Sequence, residues 1–254
     1  MDGVLLNAMP FHADAFQIAF RELAGLDIDK RDVYLLEGMP GPDLIKEILK
    51  KNGSSSFSDE NFIKKISERK KELFKKNENS KPFEGVRELL SSLKGTNCIK
   101  AVVSGASENE VKSLLKKNHL LESFDLVISG EDLGEGKPSP EPFVTSLRKL
   151  DLNTDEALVV ENSPLGVKAA VNAGIRFIVT LNNSPLNLED FQNLPKDMRN
   201  LDKIVFKDTK SAADFLIKWS EGISDDGGDS VTNSRSGRVT YGGADASSNA
   251  LDSP

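Results

Sequence analysis

One cysteine, Cys98, is all that the 254 residues contain, so no internal disulfide can form and no cluster of thiolates can hold a metal. Cys98 stands beside an apolar run and reads as a small packed hydrophobe rather than a nucleophile. An excess of positive charge is lacking too: 33 Lys and Arg against 40 Asp and Glu leave a formal net charge of −7. That balance excludes a general nucleic-acid or anionic-membrane binder as a class. No apolar run reaches the length of a membrane span and no signal peptide opens the chain, so a cytoplasmic location and no membrane partner are expected. Nothing repeats at the periods of solenoids or propellers. Hydrophobic residues make up 38% of the chain, which supplies a sizeable core for one large domain or two modest ones.

From Phe11 to Ala24, Phe16, Phe20 and Leu23 recur at helical spacing, and a second helix begins near Asp43 with Leu44, Ile45, Ile48 and Leu49. Between them Glu37 to Pro42 is a loop. Phe62, Ile63, Ile66, Leu73 and Phe74 mark a third helix with a lysine-dense face, so residues 9 to 80 read as wholly helical. The lysines Lys64, Lys65, Lys70, Lys71, Lys75 and Lys76 read as one solvated face.

After Pro82 the rhythm changes to alternation. Helices are expected over 84–93, 108–117, 140–150 and 164–173, and strands over 99–103, 124–128, 158–160, 176–180 and, more weakly, 203–206. Alternation of this kind predicts an α/β fold, a parallel sheet covered by helices. A last helix, 211–219, is expected to close the fold with Phe215, Leu216 and Trp219 inward. Beyond residue 223 the composition is Gly, Ser, Asp and Asn with few large apolar residues, too little burial to offset ordering entropy, so a disordered tail over 223–254 is expected.

Polar clusters fall at the expected strand ends: Asp2-Gly3, Ser104-Gly105-Ala106-Ser107, Lys137 within Gly-Lys-Pro, and Glu161-Asn162. In an open parallel sheet this edge is where ligands bind. Carboxylates, a hydroxyl and an ammonium converging there suit phosphoryl transfer, which asks for charge neutralisation and alignment. Each has a plainer reading as well. Ser163 or Asn162 can cap the helix opened by Pro164, Ser104 or Ser107 can cap the helix after it, Lys137 can be a surface lysine in a turn, and His12 a half-buried helix residue.

Asp2-Gly-Val-Leu, Ser104, Gly136-Lys137-Pro138 and Val160-Glu-Asn-Ser-Pro-Leu-Gly-Val-Lys, in this order, resemble the four motifs of the haloacid dehalogenase superfamily. The phosphatase and beta-phosphoglucomutase-like subgroup with a helical cap is the most similar, over roughly residues 1 to 220. The resemblance implies a Rossmann-like core over 1–8 and 82–222 and an inserted helical cap over 9–81. It further implies a phosphatase of a small phosphorylated metabolite that works through an aspartyl-phosphate with Mg²⁺ as cofactor. Carried over by position, Asp2 is the acid/base and a metal ligand, Ser104 and Gly105 bind the phosphoryl group, Lys137 neutralises it, Glu161 and Asn162 form the metal motif, and His12 matches a histidine at the cap hinge.

Two positions depart from that pattern. In Asp-x-Asp-Gly, Met1 takes the x position, so the nucleophilic aspartate falls one residue before the sequence and the central strand that carries it is missing. The expectation is a native start further upstream, and inactivity without it. Asn162 stands where the family has an aspartate, and an amide oxygen ligates Mg²⁺ without contributing charge. Rival readings are a sugar-phosphate mutase, disfavoured because no arginine follows Gly38, a dehalogenase, and a catalytically dead binding protein. The loop from Glu37 to Pro42 names no substrate.

Overall fold

The computed structural model describes residues 1–191 and 204–221, so the expected tail over 223–254 and the start of the last expected strand lie outside the described residues. A helical region comes first: α1 (Met9–Ala24), α2 (Lys30–Leu35), α3 (Gly41–Lys51) and α4 (Glu60–Asn77). The amphipathic faces read from the sequence explain their packing. α1 turns Ala13, Phe16, Ala19 and Phe20 inward against Ile63, Ile66, Leu73 and Phe74 of α4, all buried. Local signals set the ends. Asp59 accepts from the Phe62 N–H at 3.0 Å to cap α4, and Gly25 ends α1 in the left-handed region at φ 65°.

The chain then alternates: α5 (Val86–Ser92), β1 (Ala101–Val103), α6 (Glu108–Lys117), β2 (Leu126–Ile128), α7 (Glu141–Leu150), β3 (Leu158–Glu161), α8 (Pro164–Asn172), β4 (Arg176–Thr180), β5 (Val205–Phe206) and α9 (Thr209–Ser220). Every strand pair is parallel, β1 with β2, β3 with β4, and β4 with β5. Phe177 and Val179 of β4 join the larger core, while Ile178 faces Leu89, Leu93, Ala212 and Leu216 from α5 and α9. The sheet is thus covered on both faces, as a parallel sheet requires. No helix among the described residues is long and apolar enough to cross a membrane.

Three differences from expectation have physical causes. The strands form a two-stranded and a three-stranded sheet, and among the described residues β1 pairs only with β2 and β3 only with β4. On β1, Ala101 is exposed and Val103 half-buried, unlike a central strand with neighbours on both sides. α2 is six residues long, too short for a periodic pattern to show, and is held by Asp29, which accepts from the Arg31 N–H at 2.9 Å. In α9 the buried positions are Thr209, Ala212 and Leu216. Phe215 instead stacks obliquely on Phe206, and Trp219 lies against the Arg176 guanidinium.

Candidate active site

Ser104 follows β1, Glu161 ends β3, and Asn182 follows β4, so the polar residues collect at the carboxyl edge of the parallel strands. Glu161 and Lys137 form an ion pair that is buried on both sides. The other oxygen of Glu161 accepts from the backbone N–H of Asn162 at 3.0 Å and of Ser163 at 3.2 Å, and from the Ser163 hydroxyl. Burial pushes the Glu161 carboxyl up, but the Lys137 ammonium and these donors outweigh it and hold the group below its ordinary value. Lys137 is therefore no surface lysine. Ser163 also caps α8, accepting from the Gly166 N–H at 3.1 Å, so of the two cap candidates in this turn it is Ser163 that caps the helix.

Asp2 is buried, and one of its oxygens, Oδ1, has no hydrogen-bond partner. Its Oδ2 lies 3.7 Å from His12 Nε2. Burial raises the Asp2 carboxyl, and the facing His12 and Lys70 bring it below its usual value. His12, in the first turn of α1, stacks on Phe74 with ring centres 3.9 Å apart, and its Nδ1 is 2.8 Å from Lys70 Nζ. The opposite ring nitrogen, Nε2, faces Asp2 and Glu110. This corrects the solvated-face reading of the cap lysines at one position. Lys64, Lys65, Lys71, Lys75 and Lys76 are exposed, whereas Lys70 turns inward over the rings of Phe16 and Phe74. Its spacing, four residues after buried Ile66, is the signal that sequence reasoning passed over.

Gly3 packs against the Asn162 side chain so closely that a Cβ there would overlap it, which joins the first and last motifs. The loop after Asp2 is fixed by Asn182, whose Nδ2 donates to the Gly3 carbonyl at 2.7 Å, and by Thr209, whose hydroxyl donates to the Val4 carbonyl at 2.9 Å. Ser104 is buried, and its hydroxyl accepts from the Ala106 N–H at 3.2 Å, while Ser107 is the residue that caps α6. Gly105 lies under the Gly38 carbonyl, 3.5 Å from where a Cβ would stand.

Glu37, absent from the sequence-derived site, reaches in from the loop between α2 and α3 and accepts a hydrogen bond from Asn162 Nδ2. Burial and the facing carboxylates Glu161 and Asp2 push its carboxyl up to about 8. No local pattern announces a contact across 125 residues of sequence.

Hard oxygen donors suit Mg²⁺. The unpartnered Asp2 Oδ1 and the Asn162 amide oxygen fit that role, whereas both Glu161 oxygens are already engaged. Among the described residues, no three His, Cys, Asp or Glu side chains stand close enough to enclose a metal by themselves.

The chain resembles known proteins over most of its length. It is 31% identical over 183 residues to the phosphorylated carbohydrates phosphatase of Thermotoga maritima, spanning 70% of this chain and 81% of that one. It is 28% identical over 187 residues to the phosphoglycolate phosphatase of Aquifex aeolicus, spanning 71% and 82%. A Bacteroides vulgatus structure provisionally named a beta-phosphoglucomutase superposes over 87% of each chain with a TM-score of 0.73 at 28% identity. Residues 1–180 match the model of the haloacid dehalogenase-like hydrolases, and the chain belongs to that family.

Proposed function

We propose that this protein is a phosphatase of small phosphorylated metabolites that works through an aspartyl-phosphate, with Asp2 as general acid and base. The observation that carries this reading is the buried Asp2, facing His12 and joined through Gly3 to Asn162, at the strand edge that also holds Ser104 and the Lys137–Glu161 pair. The names of the Thermotoga and Aquifex relatives, both phosphatases, support it. The proposal divides the chain into a core of residues 1–8 and 82–222 and a cap of residues 9–81.

By the family's motif the nucleophile is an aspartate two positions before Asp2, and a strand carrying it would fit between β1 and β3, each of which has a strand partner on one side only among the described residues. Its carboxylate attacks phosphorus as the bond from phosphorus to the leaving oxygen breaks, and Asp2 gives that oxygen a proton. Asp2 then takes a proton from water, whose oxygen attacks the acyl-phosphate and releases inorganic phosphate. His12, placed between Lys70 and Asp2, faces the Asp2 carboxylate and favours its ionised form between the two transfers. Ser104 and Gly105 bind the phosphoryl oxygens, and Lys137 balances their charge. Asp2 and Asn162 would hold Mg²⁺, which would supply further neutralisation of the phosphoryl charge. Glu161 keeps Lys137 and the Asn162 backbone in place.

The test is a pair of proteins, the 254-residue chain and one extended upstream to carry a strand and an aspartate two positions before Asp2, assayed on phosphomonoesters with Mg²⁺ and with chelator. The extended protein should turn over and lose activity with chelator, while the shorter one stays inactive. Inactivity of both, or turnover indifferent to Mg²⁺, would defeat the proposal, the first in favour of a binding protein.

A further inference from the structure

The Asp2 side chain is fastened by little: Oδ1 has no hydrogen-bond partner, and Oδ2 lies 3.7 Å from His12 Nε2, beyond hydrogen-bond length. The aim of the carboxyl therefore rests on the backbone that follows it. That backbone turns tightly, with the Leu5 N–H donating to the Met1 carbonyl at 2.8 Å, the Gly3 N–H to the Leu6 carbonyl at 2.9 Å, and Gly3 at φ 76°. Two carbonyls of the turn point away from it and are taken by residues distant in sequence. Asn182, two residues past β4, donates to the Gly3 carbonyl, and the buried Thr209, which opens α9, donates to the Val4 carbonyl.

This pair also orients itself. The backbone N–H of Thr209 donates to Asn182 Oδ1 at 3.0 Å, and since an N–H only donates and a carbonyl only accepts, Oδ1 must face Thr209 while Nδ2 faces Gly3. Asn182 stands at φ 49°, in the left-handed region that asparagine tolerates better than most side chains. We propose that Asn182, oriented by Thr209, is a positioning residue for the proton transfers of Asp2, setting through Gly3 the direction of the acid/base carboxyl. The contact of Gly3 with the Asn162 side chain carries the same constraint to the last motif. The inference rests on the phosphatase reading and deepens it. A general acid works only within hydrogen-bond reach of the leaving oxygen, and a displacement of about 1 Å is enough to cost a large factor in rate.

The experiment uses the upstream-extended protein and its Asn182→Asp, Thr209→Val and Thr209→Ser variants, and compares kcat/KM with Mg²⁺ on phenyl phosphate and p-nitrophenyl phosphate. The two esters have nearly the same shape, but phenolate needs a proton to leave far more than p-nitrophenolate does. Their ratio is read within each protein, so a loss of folded material cancels. Asn182→Asp keeps the acceptor for Thr209 and loses the donor to Gly3, and Thr209→Val loses the hydroxyl. Both should lower kcat/KM about tenfold on phenyl phosphate and no more than about twofold on p-nitrophenyl phosphate. Thr209→Ser, which keeps the hydroxyl, should retain the parent's ratio. Equal losses on the two esters would mean that the pair only supports the fold, which overturns this inference and leaves the phosphatase reading standing. Failure of the parent to hydrolyse either ester overturns both.

Discussion

Glu37 and Glu161 face one cleft, yet their carboxyls are shifted in opposite directions, and the partner each one has explains why. Glu161 has an ammonium and three further donors, while Glu37 has one amide against the burial and the like charges around it. The sign for stability follows. A carboxyl whose folded-state value is raised from 4.5 to about 8 binds its proton more tightly in the folded state, so the folded protein loses stability as pH climbs through that window. A full shift of this size corresponds to roughly 5 kcal/mol, and because Glu37 is buried only in part the expected loss is on the order of 2 kcal/mol. Glu37→Gln should therefore match the wild type in urea stability near pH 4.5 and exceed it by about that amount at pH 9, with chelator present in both cases. A gap that stays constant with pH would mean that the Glu37 carboxyl titrates normally.

The element that best shows a motif serving packing and chemistry at once is the N-terminus of α8. Ser163 supplies the cap, Pro164 fits the first helical position, and Gly166 leaves the space that the Glu161 carboxylate fills. Adding a methyl group inside a helix ordinarily helps, since alanine is the better helix former by about 1 kcal/mol. At Gly166 the sign reverses, because a Cβ would overlap the carboxylate and drive it from Lys137. Gly166→Ala should cost about 3 kcal/mol in urea unfolding. Gly25→Ala, at φ 65° with open space around it, should cost only about 1 kcal/mol. Equal costs would show that the carboxylate moves aside freely. This element was legible in the sequence because its signals are local: an apolar run, polar residues, then proline and a helical stripe. α2 was not, since six residues carry less than two turns of pattern and Asp29 alone marks its start.

Across the whole molecule, what the sequence conveys well is the alternation that builds the core and the polar residues at its strand ends. What it conveys poorly is how the cap sits on them. Glu37 meets Asn162 across 125 positions and Arg31 meets Asp190 across 159, pairings set by docking of the two parts and by no periodicity. The crevice beside Asn162 holds about 10 Å³, room for one water at most, with both contacts made. Arg31–Asp190 is the one of the two contacts that lies away from the chemistry, between α2 and the turn at Leu188–Phe191, with the Asp190 side chain 10% exposed. A charge-assisted pair that is buried on one side contributes on the order of 1 kcal/mol to the closed state. Arg31→Ala should accordingly speed hydrogen exchange of the backbone amides around Gly38 and Met39 by roughly fivefold to tenfold without changing exchange in β4. Raising the salt concentration should accelerate the same amides in the wild type and leave the variant almost unaffected, because the screened interaction is the one already removed. Acceleration spread evenly over cap and core would instead mean that the pair supports the fold as a whole and does not fasten the cap.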